Sequence, residues 1–402
     1  MTQMIGAEPI LETCLIFIGC SLCFIVPLLS LYHTSMLRST ESLQLDHNSS
    51  NLPKISFCIP ACNEESTIGA ALESFVNIDY PNYELVVVND RSSDGTRQVI
   101  ESYSDKYDYI RLVNIDSLPE GWLGKTHALH QASGSTDSDV LIFCDADVHL
   151  SKTIIRRLVD YVEKESLDYL TIVPQLSTGK PSYLLSSIML EFQLRLMMSL
   201  NPGRLRNPDS NHGFGVGAFM MVRQVFWRQT KGFEAVKLDV IDDLALGSML
   251  KHEGARSDVF QSNYDDVAVD WYSTVHDMIK GLEKNLFAAF AYNVYLTIFY
   301  LLIEIISFGV FLYGVVKLDP IILSCFCFYF CMKYILIRRT NFSPLSILYY
   351  PLAQPIYVYL LLNSTIATLR SGGVRWRDSF YPLPILKDRM SIKLLDFLLK
   401  KK

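Results

Sequence analysis

Asp145-Ala146-Asp147 sets two carboxylates one residue apart. In an extended segment that spacing projects both to one side, where paired hard oxygen donors suit a divalent cation that keeps other positions for water and phosphate oxygens. A second acidic pair, Asp242-Asp243, precedes the helical pattern Leu244 to Lys251, where acidic residues also serve as favourable charges on a first turn. Asp90 closes a β-branched run, and a carboxylate buried at a strand mouth needs a partner. Asp94, followed by Gly95 and Thr96, reads equally well as a turn and helix cap.

These residues need strands to position them. Ile55–Ile59, Glu84–Val88, Ile110–Asn114 and Val140–Cys144 read as strands, with helices near Ser66–Val76, Gly95–Ser102 and Thr126–Ala132 between them. Such alternation predicts an α/β domain with a mostly parallel sheet and right-handed crossovers. Ligands of such sheets collect at the carboxyl ends of the strands. Pro60-Ala-Cys-Asn-Glu-Glu65, Asn89 to Thr96 and Asp145 to Asp147 all fall at those ends.

The chain has 402 residues, 50% hydrophobic and 19% charged, with a mean hydropathy of +0.21. Soluble domains carry about 25% charged residues, so part of this chain belongs in lipid. The apolar excess lies at the two ends, which excludes a polytopic transporter and a disordered scaffold. The net charge of −6 argues against nucleic-acid binding, which calls for a clustered basic face. Of nine cysteines, Cys14, Cys20, Cys23, Cys325, Cys327 and Cys331 lie in the apolar ends and Cys58, Cys62 and Cys144 in or beside strands. They read as small buried hydrophobes in a reducing compartment.

Leu15 to Tyr32 is long enough to span a bilayer, and no basic residue precedes it; the first after it is Arg38. The positive-inside rule then places the N-terminus outside and the middle of the chain in the cytoplasm. The expected organisation is an external N-terminus (1–10), a membrane anchor (11–33), a linker (34–53), a cytoplasmic domain (54–285), a membrane region of two or three segments (286–369) and a basic tail (370–402). A third crossing would strand the tail, with Arg370, Arg375, Arg377, Lys387 and Lys400 to Lys402, on the wrong side. The segment Leu345–Leu369, with Pro351, Pro355, Gln354, Asn363 and Ser364, suits a re-entrant or interfacial piece. Met390 to Lys402 alternates leucines and lysines in a pattern that fits an anionic leaflet or a frayed terminus.

Other features have two readings. Glu191 and Arg195 interrupt the apolar helix Tyr183–Leu200, which packs in a core or lies near a membrane entrance. Glu304, costly in lipid, should face protein or substrate. Gly213-Phe-Gly-Val-Gly217 allows close backbone approach, to a ligand or to a neighbouring strand. His149, His212 and His276 have no ligand spacing. Arg375-Trp376-Arg377 with Tyr381 is an interfacial anchor or a phosphate contact.

The ordered set Pro60 to Glu65, Val87 to Thr96, Asp145-Ala-Asp147 and Ile241-Asp-Asp-Leu-Ala-Leu-Gly247 resembles family 2 glycosyltransferases with the GT-A fold, a Rossmann-like nucleotide-diphospho-sugar transferase domain, here flanked by transmembrane helices. Pro119-Glu-Gly-Trp-Leu-Gly-Lys125 and the Asp242-Asp243 pair look more narrowly like membrane-bound bacterial enzymes related to hopanoid- and carotenoid-associated glycosyltransferases. The resemblance implies that Asp90 contacts the base of a nucleotide sugar, with Pro60, Cys62 and Glu64 lining the base and ribose pocket. It implies that Lys125 approaches the diphosphate, that Asp147 binds Mg²⁺ or Mn²⁺ and that Asp145 touches ribose or metal. Asp243 would be the general base, with Asp242 beside it. A UDP-sugar donor, a lipid hydroxyl acceptor and single transfer with inversion follow as expectations; a polyprenyl phosphate acceptor and a non-catalytic scaffold retaining the fold are the alternatives. The family's Gln-x-x-Arg-Trp motif is missing, the corresponding region reading Lys280-Gly-Leu-Glu-Lys284-Asn285, which disfavours a processive synthase.

Overall fold

A computed structural model describes residues 8–45, 52–178, 180–263, 265–376 and 379–390. The basic stretch after Met390 and Arg377 lie outside the described residues. The chain divides into two compact units: one takes Leu37–Ser177, Asn201–Trp271 and the segment from Pro384, and the other takes the segment up to Met36, Thr178–Leu200 and Tyr272–Leu383.

The first unit is built on an eight-stranded sheet of order β1-β10-β7-β9-β5-β2-β3-β4. Its strands are β1 (Arg38–Ser39), β2 (Ile55–Ala61), β3 (Tyr83–Asp90), β4 (Ile110–Ile115), β5 (Val140–Phe143), β7 (Tyr169–Val173), β9 (Met220–Arg223) and β10 (Ser257–Gln261). All pairings are parallel except those of β9 with β5 and β7. A smaller sheet joins β6 (Val148–Leu150), β8 (Gln175–Thr178) and β11 (Val267–Tyr272). The runs Ile55 to Ile59 and Leu85 to Val88 are fully buried, as strands covered on both faces require. Pro60 is tolerated in a central strand because the β2–β5 ladder has already ended at Cys58, so its missing N–H leaves no rung open.

The crossovers are α2 (Ile68–Val76), α3 (Thr96–Ser104), α4 (Gly124–Gly134) and α5 (Ile154–Glu165), followed by short α7 (Pro202–Arg206) and α8 (Gln224–Trp227) and then α9 (Asp242–His252). In α5, Ile154, Ile155, Leu158, Val159 and Val162 fall on one buried face, and Ser166 stops the helix in the left-handed conformation at φ 50°. The carboxyl ends of β2, β3 and β5 lie along one edge, as parallel pairing dictates.

The second unit contains α1 (Glu8–Met36), α6 (Tyr183–Ser199), α10 (Val275–Leu282), α11 (Leu286–Ala289), α12 (Val294–Lys317), α13 (Pro320–Ile337), α14 (Tyr350–Ser371) and the hairpin β12 (Gly373–Trp376) with β13 (Ser379–Pro382). Four stretches are long and apolar enough to cross a membrane: Glu12–Met36, Val294–Lys317, Pro320–Ile337 and Pro344–Ser371. The chain is a membrane protein. Helix α6 groups with them: His33 Nδ1 of α1 lies 3.1 Å from the Met197 carbonyl.

Buried charge ties this unit together. Arg195 bridges Glu191 and Glu304, the latter at 2.7 Å, and Lys333 reaches Glu191 at 3.2 Å while donating to the Tyr350 hydroxyl. Gln354 donates to Glu304 at 3.1 Å. Glu304 thus faces protein, as charge within an apolar span must.

These contacts also fix the path of α14. It opens at Tyr350 beside Tyr329 and Lys333, passes Glu304 at Gln354, and reaches residues 283–287 at Ser364. There Ser364 Oγ accepts from the Phe287 N–H at 3.0 Å and donates to the Glu283 carbonyl, while Asn363 donates to the Glu283 carboxylate at 3.1 Å. The first turns of α14 thus pack beside the middle of α12 and the later part of α13, and its Ser364 lies beside residues 283–287, just ahead of α12.

Candidate active site

Asp90, the last residue of β3, is 4% exposed. Its partner is the next residue: Arg91, at φ 54°, donates from Nε to Oδ1 at 2.7 Å and from Nη2 to Oδ2 at 3.1 Å. Helix α4 opens against this pair. A Cβ on Gly124 would stand 2.3 Å from Asp90 Oδ2, so only glycine lets the helix start approach. Trp122 precedes it, its ring 5.5 Å from that of His127 and 4.8 Å from that of His130. Burial holds His127 below the usual imidazole range, against the pull of Asp90.

Two loops close the other side. Asn63 accepts from the Ser93 N–H at 2.8 Å, and Asp94 accepts from Thr96 Oγ1 at 2.6 Å and from the Glu65 N–H at 3.2 Å. Asp94 is thus a clasp between loops. Pro60 and Cys62 are partly buried beside this clasp, and Glu64 accepts from Thr67 Oγ1 at 2.9 Å.

Asp145 and Asp147 occupy a turn between β5 and β6, where the sequence predicted an extended segment; the pairing of β5 with β2 ends at Phe143 and Cys58. Lys125, on the first turn of α4, lies 2.7 Å from Asp145 Oδ1 and 3.4 Å from Asp242 Oδ2. Burial opposes the ammonium, but Asp145, Asp242 and Asp243 outweigh it and hold its pKa well above the lysine range. Asp147 moves the opposite way from an ordinary carboxylate: burial first, then Asp145 and Glu64, raise it to about 7.

Both acids of the second pair lie on the first turn of α9. Asp242 is 6% exposed, whereas Asp243 is half-buried and accepts from the Gly217 N–H at 2.9 Å and the Leu244 N–H at 2.8 Å. Gly217 marks the meeting point. A Cβ there would lie 3.0 Å from Asp145 Oδ2, 3.1 Å from Lys125 Nζ and 3.5 Å from Asp243 Oδ2. Lys125, Asp145, Asp242 and Asp243 therefore converge, Asp147 is coupled to them through Asp145, and Asp90 lies behind the start of α4. Arg91 and Gly124 lay inside quoted motifs without a role of their own, and His127 lay in no motif.

Among the described residues no group of three or more His, Cys, Asp or Glu side chains could hold a metal ion. The Asp145-Asp147 pair still fits a hard divalent cation: the donors are carboxylate oxygens, and burial, with the charges of Asp145 and Glu64, raises proton affinity at Asp147, a cost that a cation relieves.

The sheet that carries this acidic cluster has the architecture of the GT-A fold, and the comparisons that follow make the chain a glycosyltransferase. Residues 56–229 match the family model described as Glycosyl transferase family 2. The chain is 23% identical over 361 residues to a 4,4'-diaponeurosporenoate glycosyltransferase of Staphylococcus aureus, covering 85% of this chain and 91% of that one. It is 40% identical over 114 residues to the probable glycosyltransferase YdaM of Bacillus subtilis, covering 28% of this chain and 27% of YdaM. Among solved structures, a mannosyltransferase from Pyrobaculum calidifontis in complex with GDP-Man and Mn²⁺ shares the fold at a TM-score of 0.56 and 14% identity, covering 89% of this chain and 99% of that one.

Proposed function

We propose that this glycosyltransferase moves one sugar from a nucleotide sugar, a UDP-sugar first, to a hydroxyl of a membrane lipid with inversion. The observation that carries the reading is the convergence of Lys125, Asp145, Asp242 and Asp243 around Gly217. Lipid as acceptor is supported by the membrane helices of the same chain and by the carotenoid-derived substrate in the name of the Staphylococcus relative.

In this reading Asp90 and the loops at Pro60, Cys62 and Glu64 receive the nucleoside, and Arg91 holds the Asp90 carboxylate in one orientation. Lys125 leaves its carboxylate partners to meet the diphosphate as a point charge. Asp145 and Asp147 would hold Mg²⁺ or Mn²⁺, which supplies neutralisation of the departing diphosphate. Asp243, oriented by the Gly217 and Leu244 N–H groups, removes the acceptor hydroxyl proton as the acceptor oxygen bonds to the anomeric carbon and the carbon–phosphate oxygen bond breaks. One displacement with a single base inverts the sugar carbon. The absence of a basic residue before α1 and the presence of Arg38 after it support a cytoplasmic location for this unit.

The test uses purified full-length protein with radiolabelled UDP-glucose, UDP-galactose, UDP-N-acetylglucosamine and GDP-mannose against lipid extract, with and without Mn²⁺. Labelled lipid should form with a donor and depend on the cation. Asp147→Asn and Asp243→Asn should each lower transfer by ~10²-fold or more. Unchanged transfer in both variants would sink the catalytic assignment, and an acid-labile phosphodiester product would replace the hydroxyl acceptor by a polyprenyl phosphate.

A further inference from the structure

At the exit of α14 the second unit contains a cavity of about 400 Å³ between the end of α10 and the β12 strand. Lys280, Lys284 and Arg375 line it together with Trp376, Ser371 and one carboxylate, Glu283. Three cations face one anion, and that anion is already engaged by Asn363 at 3.1 Å. Two of the cations lie over aromatic rings. Lys284 Nζ stands 3.3 Å from the centre of the Trp376 ring, and the Arg375 guanidinium lies 5.7 Å from that of Phe380. Among the described residues neither Lys280 nor Arg375 forms an ion pair.

The cavity wall also hides groups that would repel an anion. The last carbonyls of α14 are taken: Gly372 N–H donates to Leu369, Ser371 Oγ to Ala367, and the Leu383 N–H to Gly372. A concave basic site with an aromatic floor, at the end of a membrane helix, has the composition and depth of a headgroup site at a bilayer interface.

We propose that this cavity binds the phosphate of an anionic membrane phospholipid. Lys284 and Arg375 pair with the phosphate oxygens, Lys280 adds the third charge, and the Trp376 ring packs beside the glycerol at interfacial depth. The assignment is independent of sugar transfer, because it concerns residues of the second unit and is read by binding alone.

Full-length protein, stripped of lipid in neutral detergent, is titrated with dihexanoyl phosphatidic acid, dihexanoyl phosphatidylglycerol, dihexanoyl phosphatidylcholine and inorganic phosphate, with occupancy read by native mass spectrometry. One bound molecule per chain is expected for the two anionic lipids, at least tenfold tighter than for phosphatidylcholine or phosphate. Lys284→Gln and Arg375→Gln should each weaken anionic-lipid binding at least tenfold, and Lys280→Gln, further from the ring contacts, should weaken it with the unfolding midpoint unchanged. Inorganic phosphate binding as tightly as the lipids would overturn the lipid source in favour of a free-phosphate site. Wild-type lipid affinity in Lys280→Gln and in whichever of the other variants remains folded would overturn the cavity assignment itself.

Discussion

Lys125 Nζ lies 2.7 Å from Asp145 Oδ1 and 3.4 Å from Asp242 Oδ2, so one ammonium links the turn after β5 to the first turn of α9. Lys125→Met should leave these carboxylates facing each other without a cation. The expected result is a rise of about tenfold or more in donor KM with a fall in kcat. Lys125→Arg should not restore either parameter, because a planar fork does not replace a point charge, and the space beside Gly217 is so close that even a Cβ there would lie 3.1 Å from Lys125 Nζ. Steady-state kinetics over donor concentration checks both.

Gly217 can be tested without removing any charge. Its Cβ would crowd Asp145 and Lys125 at 3.0 and 3.1 Å, and displacement of catalytic groups by about 1 Å lowers rates by ~10²-fold. Gly217→Ala should therefore lose transfer on that scale while its far-ultraviolet circular dichroism and unfolding midpoint stay near wild type. Full activity would show that the groups around it do not need their present spacing.

Glu84 makes acid stability a separate handle on the first unit. Burial works against its charge, but the hydroxyls of Ser56 and Thr136 and the ammonium of Lys54 outweigh it and hold the carboxyl below the usual range. A depressed folded pKa means that the unfolded chain binds the proton more readily. The stabilisation is thus present above the unfolded value near 4.5 and is lost as pH falls through the folded one. Glu84→Gln should lower stability by about 1–2 kcal/mol at pH 7 and flatten the loss below pH 4.5, as read from urea midpoints across pH.

Within the membrane helices, Lys333 and Glu191 form a fully buried pair at 3.2 Å. Lys333→Met leaves Glu191 with Arg195 as its remaining cation and should cost about 3–5 kcal/mol. Adding Glu191→Gln should recover part of that loss, since a buried carboxylate left with one cation that it shares with Glu304, rather than the missing bond, is the larger penalty. Unfolding midpoints in one detergent, combined as a double-mutant cycle, decide the sign.

The chemistry-bearing strand ends were legible because β2, β3, β4 and β5 are short β-branched runs that stop at Pro, Asn or Asp, a pattern that depends on local sequence alone. Asp145, Asp147, Asp242 and Asp243 carried recognisable spacings for the same reason. The turn at Asp145 to Asp147 was not legible, since it depends on where β2 stops pairing with β5. Nor was the place of α6, whose Glu191 and Arg195 acquire meaning only beside Glu304 and Lys333 from helices more than a hundred residues away. The need for glycine at 124 was not legible either, since it depends on Asp90, whose Oδ2 would lie 2.3 Å from a Cβ there. Cysteine was misjudged in part: Cys14, Cys327 and Cys331 are exposed on apolar helices, where lipid rather than protein would surround them.

Ser364 joining Glu283 to Phe287 has a consequence for bookkeeping across the bilayer. A re-entrant 344–371 stretch predicts that between residues 285 and 370 the polypeptide completes an even number of full passes, α12 one way and α13 back. Together with α1 the parity is odd, so reporter tags on the two termini should fall in opposite compartments. On that reading Arg370 and Arg375 would share the face of residues 272–285, which removes the conflict between a third apolar stretch and these basic residues.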